Sequence, residues 1–584
     1  MGMIFHNLIK YQEAEEKIRK NSTKIGEIER INISGSNGRI SAEDIFSASN
    51  LPLYSRSQVD GYAVIASDLK GASHESPVAL KLSGETSIGE PAVKFPGNGK
   101  CMKVPTGGVI PVGADAMIPF EDTEAKGDNI MFFRNIDRFH ELSNSGIDVI
   151  KGERLLSKGS IIDPRSIAVM ASTGIGSVNV IRKIRIGIVS TGNELLYPGA
   201  EYINGKIYES NSTSVYSELN SYPSLEVKNY GIIYDDYTEI KKAIDKSIEE
   251  NDVTITIGST SAGDHDMVYI ILGEKNPGII FHGVRVKPGK PAIFAKSGRK
   301  LIFGLPGFPV SSMMILYSLV IPALFNMAGH RFSYTEINAV SGDRIELHEG
   351  STDLLLLKLV NRDGSYFAYQ VPGNSGSISR ISKATGFSIV QSGLSYMPRH
   401  SNLKVKLFTS KIPEILFYGQ YLPAMEHMSR EILEISTFVE AGKNEILRSL
   451  ESRDADVYIW NYRELPDIDN FDTSITFKIP YGIVHSTGSY KTMAVMYRGS
   501  GLQDYSEEIS GHEDLTYLDN PEIICDYVRN GRCDAGITYK QYADMYSLKF
   551  EQKGLITFHV IINKESTRYM ELKNAFTFHA GIQK

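Results

Sequence analysis

Cysteine is scarce in this sequence: three thiols, Cys101, Cys525 and Cys533, serve 584 residues. No two of them stand in CxxC spacing, which excludes a disulfide framework and a cysteine-built zinc knot and makes a reducing, cytoplasmic compartment the expectation. Positive charge is not in surplus either. The 62 Lys and Arg stand against 69 Asp and Glu, a formal charge of −7, whereas a dedicated nucleic-acid binder shows a basic excess. Long apolar runs are almost missing. Only Val310 to Ala328 approaches spanning length without a charge, and it carries Ser311, Ser312, Ser318, Pro322 and Asn326 with no flanking anchors. That composition predicts a core-buried helix and no membrane span. The N-terminus, MGMIFHNLIKYQEAEEKIRK, has no apolar h-region, and His6 stands where myristoylation needs Ser or Thr, so neither a signal peptide nor a lipid anchor is expected. The GxxxxGK[ST], complete GxGxxG and HExxH signatures are all absent, which removes the P-loop, nicotinamide-Rossmann and zincin readings.

What is present is a large multidomain chain. At roughly 150 residues per domain the length predicts about four units. Phe5 to Arg19 reads as a helix, and Leu51 to Phe139 as short glycine-punctuated strands of a small β domain. The rhythm then changes. Ile184–Val189 is a buried-strand run, Asn211–Ser221 a short helix, and Val227–Tyr234 a second strand. In Tyr237–Glu249, Ile240, Ala243, Ile244 and Ile248 share one helical face, and Val253–Ile257 is a third strand. Strands alternating with helices predict a parallel α/β sheet with ligand loops at the strand C-termini. His330 to Phe408 returns to β character. From about Glu414 a new α/β stretch contains a weak internal repeat, Asn444–Ile459 echoed by Glu522–Tyr539, which suits a two-lobed binding domain.

The chemistry lies in loops that follow the strands: Ser190-Thr-Gly-Asn-Glu194, Gly258-Ser-Thr-Ser-Ala-Gly-Asp-His-Asp266, Lys287-Pro-Gly-Lys290 and Gly304-Leu-Pro-Gly307. Glycine frees backbone N–H groups there, hydroxyls add donors, and Lys287 and Lys290 supply point charges, a combination suited to phosphate or another oxyanion. Glu194, Asp266, Asp235 and Asp236 are hard oxygen donors of the kind that hold Mg²⁺ against phosphates. These readings point to an anionic, phosphorylated ligand.

Leu51-Pro-Leu-Tyr-Ser-Arg-Ser-Gln-Val-Asp-Gly-Tyr-Ala-Val64 resembles the Ser-x-(Met/Val)-Asp-Gly-Tyr-Ala segment of the molybdopterin molybdenumtransferases, the MoeA/gephyrin E-domain family. Pro105-Thr-Gly-Gly108, the Ser190 and Gly258 loops, Asp235-Asp236, Lys287-Pro-Gly-Lys-Pro291 and Gly304-Leu-Pro-Gly307 follow in the family's order, over roughly residues 5 to 408. The remaining stretch, with Arg498-Gly-Ser-Gly501 and Asn530-Gly-Arg-Cys-Asp-Ala-Gly536, is similar to a periplasmic-binding-protein-like, LysR substrate-binding-like domain.

The resemblance implies an α/β and β multidomain fold. Residues 1–50 with 146–180 would form an N-terminal helical and linker domain, and 51–145 a β-rich domain. Residues 181–330 would be a MogA-like, doubly wound molybdopterin-binding domain, 331–409 a β-barrel-like domain, and 410–584 the two-lobed binding domain. It implies a cytoplasmic, Mg²⁺-dependent transferase that inserts molybdate into adenylylated molybdopterin and releases AMP. By resemblance Asp60, Thr106, Asp148, Glu194 and Asp266 are catalytic. Ser190, Thr191, Gly192, Gly258, Ser261, Lys287, Lys290, Pro306 and Gly307 bind the substrate, and Glu194, Asp235, Asp236 and Asp266 hold the metal. A homodimer sharing its site between subunits is implied, as are a MogA-type adenylyltransferase and molybdoenzymes as partners. Ile147, Ser259 and Phe308 depart from the family pattern. The alternatives are a tungstate-preferring paralogue, or an oxyanion- or pterin-binding sensor on the same scaffold.

Overall fold

The computed structural model describes residues 8–258, 266–391, 393–419, 432, 434–485, 491–497, 500–509, 514–518 and 520–582. The chain divides into two units, one of Met1–Val284, Pro291–Gly307 and Ser312–Ser333, the other of Arg285–Lys290, Phe308–Ser311 and Tyr334–Lys584.

In the first unit, α1 (Tyr11–Asn21) buries Tyr11, Ala14 and Ile18, one stripe of a helix, and carries Arg19 and Lys20 in its last turn. The expected helix start at Phe5 lies outside the described residues, and Ile9, expected in the helix, bridges Val284 instead. The strand β1 (Ile28–Asn32) pairs antiparallel with Ser177–Ile181, so the segments before and after the β-rich part close on each other. Between them lie β2 (Gly61–Val64), β3 (Val78–Glu85), β4 (Lys100–Val104), β5 (Ala116–Pro119), β6 (Thr123–Lys126) and β7 (Asn129–Phe132). They form one sheet in the order β5-β2-β4-β3-β7-β6. Its core packs Val64, Leu69, Leu80, Ile118 and Phe132 around Cys101, whose thiol burial pushes up to about 12, so it stays protonated and inert.

The α/β part follows with β8 (Ile184–Thr191), α2 (Asn211–Asn220), β9 (Leu225–Ile233), α3 (Tyr237–Glu250), β10 (Val253–Ile257), α4 (Met267–Gly273), β11 (Pro277–His282), β12 (Ile293–Ser297) and β13 (Lys300–Leu305). The sheet order is β9-β8-β10-β13-β12-β11. The first four strands are parallel and the last two antiparallel. Gly187 in β8 permits the cover of α3: a Cβ there would fall on the Ser247 hydroxyl.

The apolar run predicted as a core helix is α5 (Pro309–Met327). It is long and apolar enough to cross a membrane, yet 89% of its window is buried inside the protein. A π-helical turn, Leu316–Val320, precedes Pro322. Proline has no N–H for the carbonyl four residues back, and the Tyr11 hydroxyl donates to that Ser318 carbonyl instead, at 3.1 Å.

In the second unit, β14 (Glu336–Ser341), β15 (Thr352–Arg362), β16 (Ser365–Gln370), β17 (Gly386–Val390) and β18 (Asn402–Leu407) close a ring, because β15 pairs with both β16 and β17. The remaining junctions are β16–β14, β14–β18 and β18–β17. The short strand Val286–Lys287 adds to β15. The C-terminal part contributes β19 (Ile415–Gly419), β20 (Ser436–Glu440), α6 (Lys443–Ser452), β21 (Val457–Trp460), β22 (Phe471–His485), β23 (Thr492–Met496), α7 (Gln503–Ile509), β24 (Asp514–Leu518), α8 (Pro521–Arg529), β25 (Ala535–Tyr539), α9 (Lys540–Met545), β26 (Lys549–Asn563) and α10 (Tyr569–Ile582).

Their sheet order is β20-β19-β21-β26-β22-β25-β23-β24. On each flank three strands run parallel, and the two long strands between them are antiparallel. The α6–β21 and α8–β25 units occupy matching places in the two halves, which is the physical basis of the sequence repeat. The ring and this part share a core in which Val360 and Tyr369 meet Leu416, Tyr418 and Tyr458. The Arg362 guanidinium donates to the Asp454 carbonyl and Arg399 pairs with the Asp454 carboxylate across the same seam.

Candidate active site

The chain leaves β8 through α2 to β9 on one side, then crosses through α3 to β10 on the other. The C-terminal ends of β8 and β10 therefore flank a topological switch point, where open α/β sheets bind ligands. Three glycine loops converge there. Gly258, just past β10, has φ +92°, and a Cβ on it would lie 2.5 Å from the Thr191 carbonyl oxygen at the end of β8. Only glycine fits that backbone. Gly307, past β13, brings its own Cβ position to 3.8 Å from the Gly258 Cα. The Asn211 amide at the start of α2 donates to the Gly307 carbonyl at 2.7 Å.

The first loop is tied on both sides. Ser190 and Thr191 are buried; the Ser190 hydroxyl donates to Glu209 and the Thr191 hydroxyl to the Ile257 carbonyl, each at 3.4 Å. Those hydroxyls join strand to strand and strand to helix, so Asn193 and Glu194 form the exposed part of the loop. The Asn193 N–H donates to the Asp235 carboxylate at 3.3 Å, and the Asp235 N–H donates to the Asn193 amide oxygen at 3.0 Å. Asp235 thus registers the loop after β9 against the loop after β8.

Glu209 was not singled out by the sequence, and it is the most enclosed carboxylate of this region, 4% exposed. It accepts from the Ser212 N–H at 2.5 Å, the Ser212 hydroxyl at 2.7 Å and the Thr213 hydroxyl at 3.2 Å. Its charge fills the N-terminus of α2, the position a bound anion would otherwise favour. The run Glu209-Ser-Asn-Ser-Thr213, an acidic residue ahead of short polar ones, is a helix-start signal that could have revealed it. Asn193, a polar residue inside a glycine loop, and Asn211, the first residue of α2, were likewise missed.

The four carboxylates expected to hold Mg²⁺ are differently employed. Asp236 caps α3, accepting from the Glu239 N–H at 3.0 Å, and Asp266 caps α4, accepting from the Tyr269 N–H at 3.0 Å. Asp235 is held by Asn193, and Glu194 folds toward the Gly192 backbone. Among the described residues no three His, Cys, Asp or Glu side chains gather as a metal group. Each cap uses one carboxylate oxygen, and Ser259–His265 of the neighbouring loop lie outside the described residues.

Asp60 and Thr106 meet at the end of the β-rich sheet, where the Asp60 carboxylate accepts the Thr106 N–H at 2.9 Å and both residues are exposed. Asp148 is exposed beside Leu51, whose carbonyl accepts the Asp148 N–H at 3.0 Å. Pro306 is buried at the end of β13. Lys287, Lys290 and Phe308 belong to the second unit, all exposed. Ser261, Ser259 and Arg498 lie outside the described residues.

Two family models match the chain: the MoeA N-terminal region (domain I and II) over residues 9–174, and a probable molybdopterin binding domain over residues 187–326. The chain is 33% identical over 304 residues to the molybdopterin molybdenumtransferase of Haemophilus influenzae, covering 52% of this chain and 74% of that protein. It is 32% identical over 331 residues to a putative molybdopterin biosynthesis protein of Methanocaldococcus jannaschii, covering 55% and 78%. The crystal structure of a molybdopterin biosynthesis MoeA protein from Pyrococcus horikosii superposes with a TM-score of 0.62 at 30% identity, over 69% of this chain and all of that one. With its switch-point loops inside the matched region, the chain belongs to the molybdopterin molybdenumtransferase (MoeA) family.

Proposed function

We propose that this chain completes the molybdenum cofactor, taking adenylylated molybdopterin and molybdate and releasing AMP. The observation that carries this reading is the convergence of the Gly192, Gly258 and Gly307 loops at the switch point of the sheet. Backbone N–H groups freed by those glycines suit a pyrophosphate. In the proposed reaction the phosphoanhydride bond is hydrolysed and AMP leaves, while the dithiolene sulfurs bond molybdenum in place of oxide. No side-chain nucleophile is required. Lys287 and Lys290 supply positive charge to phosphate or oxyanion, and Glu194 orients the reacting groups. Glu194, Asp235, Asp236 and Asp266 would hold Mg²⁺, which would offset the charge of the phosphates.

The wider reading follows the family. A cytoplasmic homodimer is proposed in which Asp60, Thr106 and Asp148 of one copy complete the site of the other. A MogA-type adenylyltransferase would supply its substrate and molybdoenzymes would take its product. The five-part division, 1–50 with 146–180, 51–145, 181–330, 331–409 and 410–584, is proposed with it. The C-terminal part is proposed as a two-lobed, LysR substrate-binding-like ligand domain, supported by its paired α6–β21 and α8–β25 halves. Purified protein given adenylylated molybdopterin and molybdate is expected to release AMP, and Glu194→Gln to slow release at least about tenfold, one decade being about 1.4 kcal/mol. Glu194→Gln turnover equal to that of the unaltered chain would remove Glu194 from the reaction.

A further inference from the structure

One arrangement in the second unit is not explained by packing alone. The short strand Val286–Lys287 pairs parallel with the start of β15, setting Lys287 opposite Asp353. Asp353 is 2% exposed, an enclosed carboxylate that needs partners. One of its oxygens accepts the His348 N–H at 2.9 Å, and the other meets His348 Nδ1 at 2.7 Å. The opposite ring nitrogen, Nε2, lies 2.6 Å from the Lys287 ammonium. A buried carboxylate thus orients an exposed imidazole, and the imidazole holds a lysine of the Lys-Pro-Gly-Lys segment.

The chemistry fixes the roles of the ring nitrogens. An ammonium only donates, so Nε2 must carry its lone pair toward Lys287, and Nδ1 must carry the proton given to Asp353. The lysine stem is long and flexible, and an unheld ammonium spreads over many rotamers. We infer that His348 is a positioning residue for Lys287, fixing the ammonium that the proposed function assigns to the substrate's phosphate or oxyanion. The inference rests on that functional reading.

The test compares AMP release by the full chain, His348→Ala and His348→Gln at about pH 7.5, with thermal unfolding followed on each. Glutamine keeps an amide oxygen that can accept from Lys287 but does not titrate. His348→Ala is expected to raise the KM for adenylylated molybdopterin about tenfold at about pH 7.5, with a smaller change in kcat. His348→Gln is expected to restore KM to within about twofold. A role confined to the turn would lower the melting temperature of both variants and leave KM unchanged, which would overturn the inference. If the unaltered chain releases no AMP, the functional reading fails first, and the two failures are distinct.

Discussion

At the residue scale, the candidate site depends on glycines whose absent side chains are occupied by neighbours. Gly258 is the sharpest case, combining φ +92° with a Cβ position 2.5 Å from the Thr191 carbonyl. Gly258→Ala is expected to lower stability by about 1–3 kcal/mol through backbone strain and displacement of the β8 loop. Chemical denaturation would measure it, with AMP release falling in parallel. The glycine loops were legible in the sequence because glycine between apolar strands has few other uses. Glu209 was not singled out, because an acidic residue ahead of short polar ones reads as an ordinary helix start, and its bond from Ser190 forms only when β8 meets that turn. The hydroxyls of Ser190 and Thr191 look like ligand groups in the sequence, and folding turns them inward onto Glu209 and Ile257.

At the scale of elements, two devices hold the frame on which the loops sit. The first is the Tyr11 hydroxyl on the Ser318 carbonyl, which satisfies the acceptor that Pro322 cannot reach. Tyr11→Phe removes that donor from a buried carbonyl and should cost about 1–3 kcal/mol, read as a shift in the denaturation midpoint. The second lies at the opposite end of the α/β sheet. Asp252, just before β10, accepts a bidentate pair of bonds from Arg182 at 2.7 and 2.9 Å and a third from the Arg185 N–H at 2.9 Å. Burial, the largest single influence, works to raise its carboxyl, but the Arg182 bonds, the Arg185 N–H and the Arg182 and Lys300 charges together hold it below the ordinary carboxylate range.

A carboxylate depressed on folding contributes stability above its unfolded pKa and loses it as pH falls through the folded one. Asp252→Asn should therefore destabilise by about 3 kcal/mol at neutral pH. The difference from the unaltered chain should shrink progressively on acidification below about pH 4. Urea titrations at several pH values would check this, and an offset that stayed constant with pH would show that the Asp252 charge contributes nothing.

The α/β elements were legible almost residue by residue, since apolar periodicity and caps coincide there: the strand expected at Val253–Ile257 is observed over that span, and the helix expected at Tyr237–Glu249 continues to Glu250. The capping roles of Asp236 and Asp266 were not legible, because capping and ligation call for the same residue types.

At the scale of the molecule, the appended C-terminal part shares a core with the ring of β14–β18. Val360 and Tyr369 are almost fully covered by Leu416, Tyr418 and Tyr458. The Tyr418 hydroxyl donates to Asp343 at 2.8 Å, while burial raises the Asp343 carboxyl above its usual range. Truncation after Thr409 would expose that seam, and is expected to lower the melting temperature of the remaining chain and promote its self-association, measured by calorimetry and light scattering. Unchanged melting would show that the seam contributes no stability.

The central claim is the reaction itself, and it is tested most directly by AMP release from adenylylated molybdopterin by the purified full chain, with molybdate, with tungstate and with neither. The account predicts release of AMP stimulated by an oxyanion together with formation of metal-loaded pterin. Adenylylated molybdopterin left intact under all three conditions would contradict it.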